Sequence, residues 1–273
     1  MGNFTRKILR KVSAYDWEYL GAAVGLLGLI VVVWYFVFVR INHGDYVRTS
    51  SAVSATIADY NDLLTARDKA ITAVDAPDEK SNDFQKTVDD YQKAEQKYQA
   101  SFAEIATQKS LGNSDLKTSY NILSTKNDNF VQFINNQLAT LPLVQGATAN
   151  CQESSLEKLN VSDLSQIVDA YKTATKPCLD AMQKLASSNI KSVADRGKQA
   201  VDYLNSMQQL AEAMKTAYLA DNRDVFKVKF DSFSKLITEF GVNTDVASLL
   251  DIDKTAIPTM ELNQLAKVVG EHI

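Results

Sequence analysis

The sequence predicts an all-α protein: a single N-terminal transmembrane helix followed by an antiparallel multi-helix bundle ectodomain. Three observations lead there. Residues 19–39 form a run of 21 residues without a charge. Apolar side chains recur at three- and four-residue spacing through most of the remainder, the period of one helix face. Helix-breaking residues are scarce, with 4 Pro and 10 Gly in 273 residues, so long uninterrupted helices are expected.

The uncharged run comes first. At about 1.5 Å per residue, 21 helical residues span the roughly 30 Å hydrocarbon core of a bilayer. It ends in Trp34-Tyr35-Phe36-Val37-Phe38-Val39-Arg40, too bulky for signal-peptide cleavage, so the segment is expected to stay as an anchor. Tyr15, Trp17 and Tyr19 at one end and Trp34 and Tyr35 at the other suit the two interfaces. Arg6, Lys7, Arg10 and Lys11 precede the run, whereas only Arg40 and Arg48 follow closely. The positive-inside rule therefore puts residues 1–18 in the cytoplasm as a short tail and exports the rest. The expected location is the cell (plasma) membrane, single-pass, with lipid contact through residues 19–39. Gly21-Ala-Ala-Val-Gly25, with Gly28 one turn further, matches the small-xxx-small pattern that lets two membrane helices approach.

Residues 40–48 form a juxtamembrane linker, and residues 49–241 the bundle. Val53, Ile57, Tyr60, Leu64, Ile71 and Val74 step as one stripe, with Arg67 at its missing position. After the Asp75-Ala-Pro-Asp78 turn, Phe84, Val88, Tyr91, Tyr98, Phe102 and Ile105 repeat the pattern around Glu95. Leu111-Gly-Asn-Ser114 breaks the chain, and Leu116, Tyr120, Leu123, Phe130 and Ile134 form a third stripe around Asn127. Such 3-4 spacing is that of helices packing at shallow angles, as in coiled coils.

Residues 140–160 read as irregular, because Pro142, Gly146 and Cys151 interrupt the pattern. A helix capped by Ser162 carries Leu164, Ile167, Val168 and Tyr171 and is expected to break before Pro177. Residues 189–219 present Val193, Ala200, Leu204, Met207, Ala211, Met214 and Tyr218 on one face. Asp221-Asn-Arg-Asp224 turns the chain, and Phe226, Phe230, Phe233, Ile237 and Phe240 line up as expected core before Gly241, a C-cap candidate. Residues 242–273 are expected to add short helices on the bundle, the second starting near Pro258.

Cys151 and Cys178 are the only cysteines. An even pair in an exported domain is most simply a disulfide, here closing a 28-residue loop. The chain-entropy model gives such a loop about 3–4 kcal/mol. His43 and His272, at opposite ends of the exported part, leave no mid-domain base or zinc set. Asp245, Asp251 and Asp253 lack the ligand spacing and central glycine of a calcium loop. Asn160-Val-Ser162 is a glycosylation sequon in form. No nucleophile motif or phosphate-cradling glycine loop is present, so no catalytic, cofactor-binding or metal residue is assigned and no enzymatic activity is expected. The net charge of −4, with the basic tail inside the cell, argues against nucleic acid as partner.

What remains is an interaction or scaffold protein, binding another envelope or surface protein or a second copy of itself. The alternative is a receptor-like ectodomain that captures a small ligand and signals through a partner. An exposed apolar face favours the first, and an enclosed polar-lined cavity the second.

Overall fold

A computed structural model describes residues 27–33, 35, 40–74, 81–151, 164–243, 245–251 and 256–273. Among these residues the protein is helical, with no strand. Seven α-helices follow residue 40: α1 (His43–Val74), α2 (Ser81–Ala106), α3 (Ser114–Asn150), α4 (Leu164–Ala186), α5 (Lys191–Leu219), α6 (Arg223–Asn243) and α7 (Thr259–Gly270). Short 3₁₀ turns at Lys109–Gly112 and Ala247–Leu250 join them.

Of the uncharged run, residues 27–33 are helical and solvent-facing, while 19–26, 34 and 36–39 lie outside the described residues. Among the described residues no helix is long and apolar enough to cross a membrane.

The first unit comprises α1, α2, the first part of α3, and α7, which packs on both α1 and α3. Its seams are heptads. In α2 the buried positions Phe84, Val88, Tyr91, Glu95, Tyr98, Phe102 and Ile105 alternate by four and three. In α3 the sequence Leu116, Leu123, Asn127, Phe130, Ile134, Gln137 and Leu141 does the same, with Tyr120 filling the step half-buried. The α1 seam runs through Thr49, Val53, Thr56, Tyr60, Leu63, Arg67, Ala70 and Val74. This corrects the stripe expected from sequence: Ile57, Leu64 and Ile71 flank the seam half-buried, and the preceding residues Thr56, Leu63 and Ala70 occupy it. An antiparallel partner brought close by heptad packing selects the 3.5-residue line over the largest side chains.

The residues that interrupt the stripes belong to the core. Arg67, Glu95 and Asn127 are all buried. Arg67 donates from Nε to Gln137 Oε1 (2.9 Å) and from an Nη to the Leu250 carbonyl (2.7 Å). Gln137 Nε2 reaches the same carbonyl at 2.5 Å, and the Tyr91 hydroxyl donates to Gln137 Oε1 at 3.1 Å. Tyr98 donates to Asn127 Oδ1 at 2.5 Å, and Glu95 accepts from Gln99. These polar groups thus find partners on leaving water, as burial requires. Among the described side chains of the unit the exception is Glu261 on α7, whose Oε2 is buried without a hydrogen-bond partner. The Arg67 and Gln137 bonds also pin the segment that leads into α7.

Residues 40–49 are tied to the base of this unit. Asn42 and Asp45 cap each other reciprocally (3.1 and 2.9 Å), and Lys109 Nζ donates to the Arg40 carbonyl at 2.8 Å. Thr49 and Ser110 bond at 2.5 Å, and Tyr46 stacks on His272 with ring centroids 4.8 Å apart.

Two expected helix breaks do not occur. α3 continues through Pro142 to Asn150, and α4 continues through Pro177. A mid-helix proline costs roughly 3 kcal/mol. Around Pro142, Leu141, Val144 and Ala147 are fully buried; around Pro177, Tyr171, Thr175, Cys178, Met182 and Leu185 keep the seam of α4. Burial of a continuous face outweighs one missing hydrogen bond at each place. Likewise α6 runs past Gly241 to Asn243, so that glycine does not end the helix. Ser162, expected as an N-cap, and the turn at 75–78 lie outside the described residues.

The second unit comprises the end of α3 with α4, α5 and α6, each packed mainly on its sequence neighbour. Gly197 allows the α4–α5 turn to close: a Cβ there would meet Ala186 N at 2.2 Å. The antiparallel pairing of α4 with α5 sets Lys172 opposite Glu212 and Lys215 opposite Asp169. The α5–α6 turn therefore lies at the end of the molecule far from residue 40, with Asp221 in left-handed backbone (φ 51°) and Asn222 Oδ1 accepting from Val225 N.

Candidate interaction surface

α6 is where the sequence expectation and the structure part company. The line Phe226, Phe230, Phe233, Ile237 and Phe240 was expected to be core. Instead Phe230 is 49% exposed and Ile237 44%, and the other three are only half-buried. None of the described side chains of α6 is fully buried. The reason is a shortage of neighbours. Phe233 meets Tyr171 of α4 edge-on (5.5 Å), and Phe240 meets Tyr203 of α5 (6.5 Å). Among the described residues Phe226 and Phe230 have only each other as ring partners, stacked at 6.4 Å. Tyr218 and Leu219, at the end of α5, are also exposed, although Tyr218 was expected on the buried face. Ala217 takes that place. Val225 and Val228, at the start of α6, are exposed as well.

An open concavity of about 730 Å³ lies at this turn, lined by Tyr218, Leu219, Arg223 and Phe226 among others. A second, of about 440 Å³, lies between α3 and α4, where Pro142 and Pro177 share one groove with Lys176, Asp180 and Lys184. Both open to solvent. The groups whose pKa is displaced are elsewhere. Burial raises Tyr60, Tyr91 and Tyr98 inside the first unit and pushes Tyr171 up to about 12. Asp195 and Glu212 are lowered by hydrogen bonds from Lys191 and Lys172 on the surface. Neither concavity therefore joins a perturbed acid or base to a nucleophile, the arrangement acid–base chemistry needs.

The remaining sequence candidates can be placed one by one. Cys151 and Cys178 are brought together, with sulfurs 2.08 Å apart and Cα atoms 4.6 Å apart. The bond joins the C-cap of α3 to the middle of α4, where an irregular crossover was expected. Gly28 is helical and a Cβ on it would meet nothing within 4 Å; Gly21 and Gly25 lie outside the described residues, as does Asn160. Asp245 caps Ala247 N at 3.0 Å, Asp251 is exposed, and Asp253 lies outside the described residues. Among the described residues no three His, Cys, Asp or Glu side chains are grouped to hold a metal ion.

Sequence reasoning missed the exposed flank of α6 because its periodicity is that of a core helix. Its one distinguishing sign is Lys227-Val228-Lys229-Phe230, where two lysines alternate with apolar residues. Comparison with protein-family models, curated proteins and solved structures finds no match to this chain.

Proposed function

We propose that the chain is a membrane-anchored, extracytoplasmic helical interaction or scaffold protein, held in the bilayer by residues 19–39 and acting by contact with another envelope or surface protein or with a second copy. The observation that carries this is the uncovered apolar flank of α6 together with the α5–α6 turn. Large apolar side chains left exposed on a folded domain support a contact role. The anchor has its own support: Leu27, Leu29, Ile30, Val31, Val32, Val33 and Tyr35 stand at least half exposed, an arrangement suited to lipid. The basic residues before the run orient the bundle outward, and Gly21, Gly25 and Gly28 would serve a helix contact within the membrane. Open concavities without convergent titrating groups give the small-ligand and enzyme readings less support.

The reading is tested by tethering. The full chain should resist carbonate extraction and lose its bundle to protease added outside intact cells. A version with residues 1–39 replaced by a cleavable signal should fold but fail to complement a deletion strain. Protection from external protease, or full complementation by the released domain, would refute the reading.

A further inference from the structure

We infer that the open flank of α6 seats one helix of a different protein, about three turns long, apolar on one face and bordered by carboxylates. This deepens the contact reading above and rests on it.

The molecule contains its own example of a filled slot. α7 is a 12-residue helix that lies on both α1 and α3 and buries Leu262, Leu265 and Val269 almost completely. The α6 line from Phe226 to Ile237 has the same extent of 12 residues, about 17 Å at the helical rise. Its anchors at i, i+4, i+7 and i+11 have the spacing of a helix-in-groove contact. At the tip, α4, α5 and α6 lie with no counterpart of α7 among the described residues.

Charge and reach narrow the occupant. Lys227 and Lys229 stand beside Val228 and Phe230, and among the described residues neither forms an ion pair, so both charges are left for carboxylates of an occupant. A second copy standing parallel in the same membrane would bring its lysines against these, a like-charge contact. An acidic border on the occupant meets them instead. Lipid of the anchoring membrane is remote. α3 rises about 55 Å from the base of the bundle, and α4 extends about 20 Å beyond the disulfide toward the tip, at 1.5 Å per residue. The tip therefore stands roughly 75 Å from residue 40 along the packed helices.

The test uses the full chain in its native membrane, with a p-benzoylphenylalanine photocrosslinker at position 230 and, as control, at Ile122, which is 60% exposed on α3. The expected result is an adduct at 230 and not at 122, with a protein of different mass, whose linked peptide is an amphipathic helix carrying Asp or Glu beside its apolar face. Lys227→Glu with Lys229→Glu should cut the yield about tenfold, since reversed rim charges repel the partner, while the melting temperature stays unchanged. No adduct at 230, equal yield at 122, an adduct of twice the chain mass, a lipid adduct, or a yield insensitive to charge reversal would each overturn the inference. Carbonate extraction of the same membranes reports the anchor separately. A chain that is extracted yet still crosslinks to an acidic helix would remove the membrane reading and leave the docking site standing.

Discussion

Phe130 and Phe230 occupy the same kind of position, an aromatic residue at three-four spacing on a long helix, yet the first is fully enclosed and the second is 49% exposed. Around Phe130 the first unit closes. Tyr60 and Tyr98 approach its ring at 5.6 and 5.9 Å, and α7 covers the seam between α1 and α3. Around Phe230 the one ring neighbour among the described residues is Phe226, because α6 packs mainly on α5 and it is Phe233 of this line that meets a ring of α4. The contrast teaches that amphipathic periodicity specifies which face of a helix is apolar. It does not specify what covers that face, which depends on helices distant in sequence or on another molecule.

The same distinction explains what could be read in advance. The helical class, most of the α1, α2, α5 and α6 spans and the cysteine pairing follow from local pattern, which one chain displays directly. α1 nonetheless starts at His43, inside the stretch 40–48 expected to be a linker. The breaks predicted at Pro142 and Pro177 were wrong because a local cost was set against burial that only the assembled bundle supplies. Arg67, Glu95 and Asn127 were visible as gaps in the stripes. Their roles were not, since Arg67 bonds to Gln137 and Leu250, 70 and 183 residues away.

If the first unit is closed as described, deleting its central ring should have the largest effect. Phe130→Ala should lower unfolding free energy by about 3–5 kcal/mol in urea melts of the detergent-solubilised chain. A loss below about 1 kcal/mol, typical of surface substitutions, would mean the core is not centred there.

The disulfide should rank next. Cys178→Ser removes a cross-link over a separation of 27 residues and should cost about 3 kcal/mol. The loss should be felt first in the second unit, as faster amide exchange in α4 and α5 than in α1 and α2. Uniform acceleration would show that the two units unfold as one.

Alkali should sharpen the comparison with a smaller effect. Tyr60, Tyr91 and Tyr98 are raised chiefly by desolvation, as is Tyr171 at about 12. A folded-state pKa above the unfolded value of about 10 means the native form keeps protons that the unfolded form releases. Stability should therefore be constant with respect to these groups below about pH 10 and fall as pH rises toward and beyond 12. Three of the four belong to the first unit, so Tyr91→Phe with Tyr98→Phe should flatten the fall more than Tyr171→Phe does. Equal flattening by either change would contradict the unequal burial of the two units.

The most direct measurement pairs folding with function at one residue. Phe230→Ser should leave the urea midpoint of the full chain nearly unchanged, within about 0.5 kcal/mol, as expected for an exposed site. The same variant should fail to complement a deletion strain. Loss of several kcal/mol would place Phe230 in the core after all, and an unchanged melt with full complementation would show that the open flank of α6 is not where this protein makes its contact.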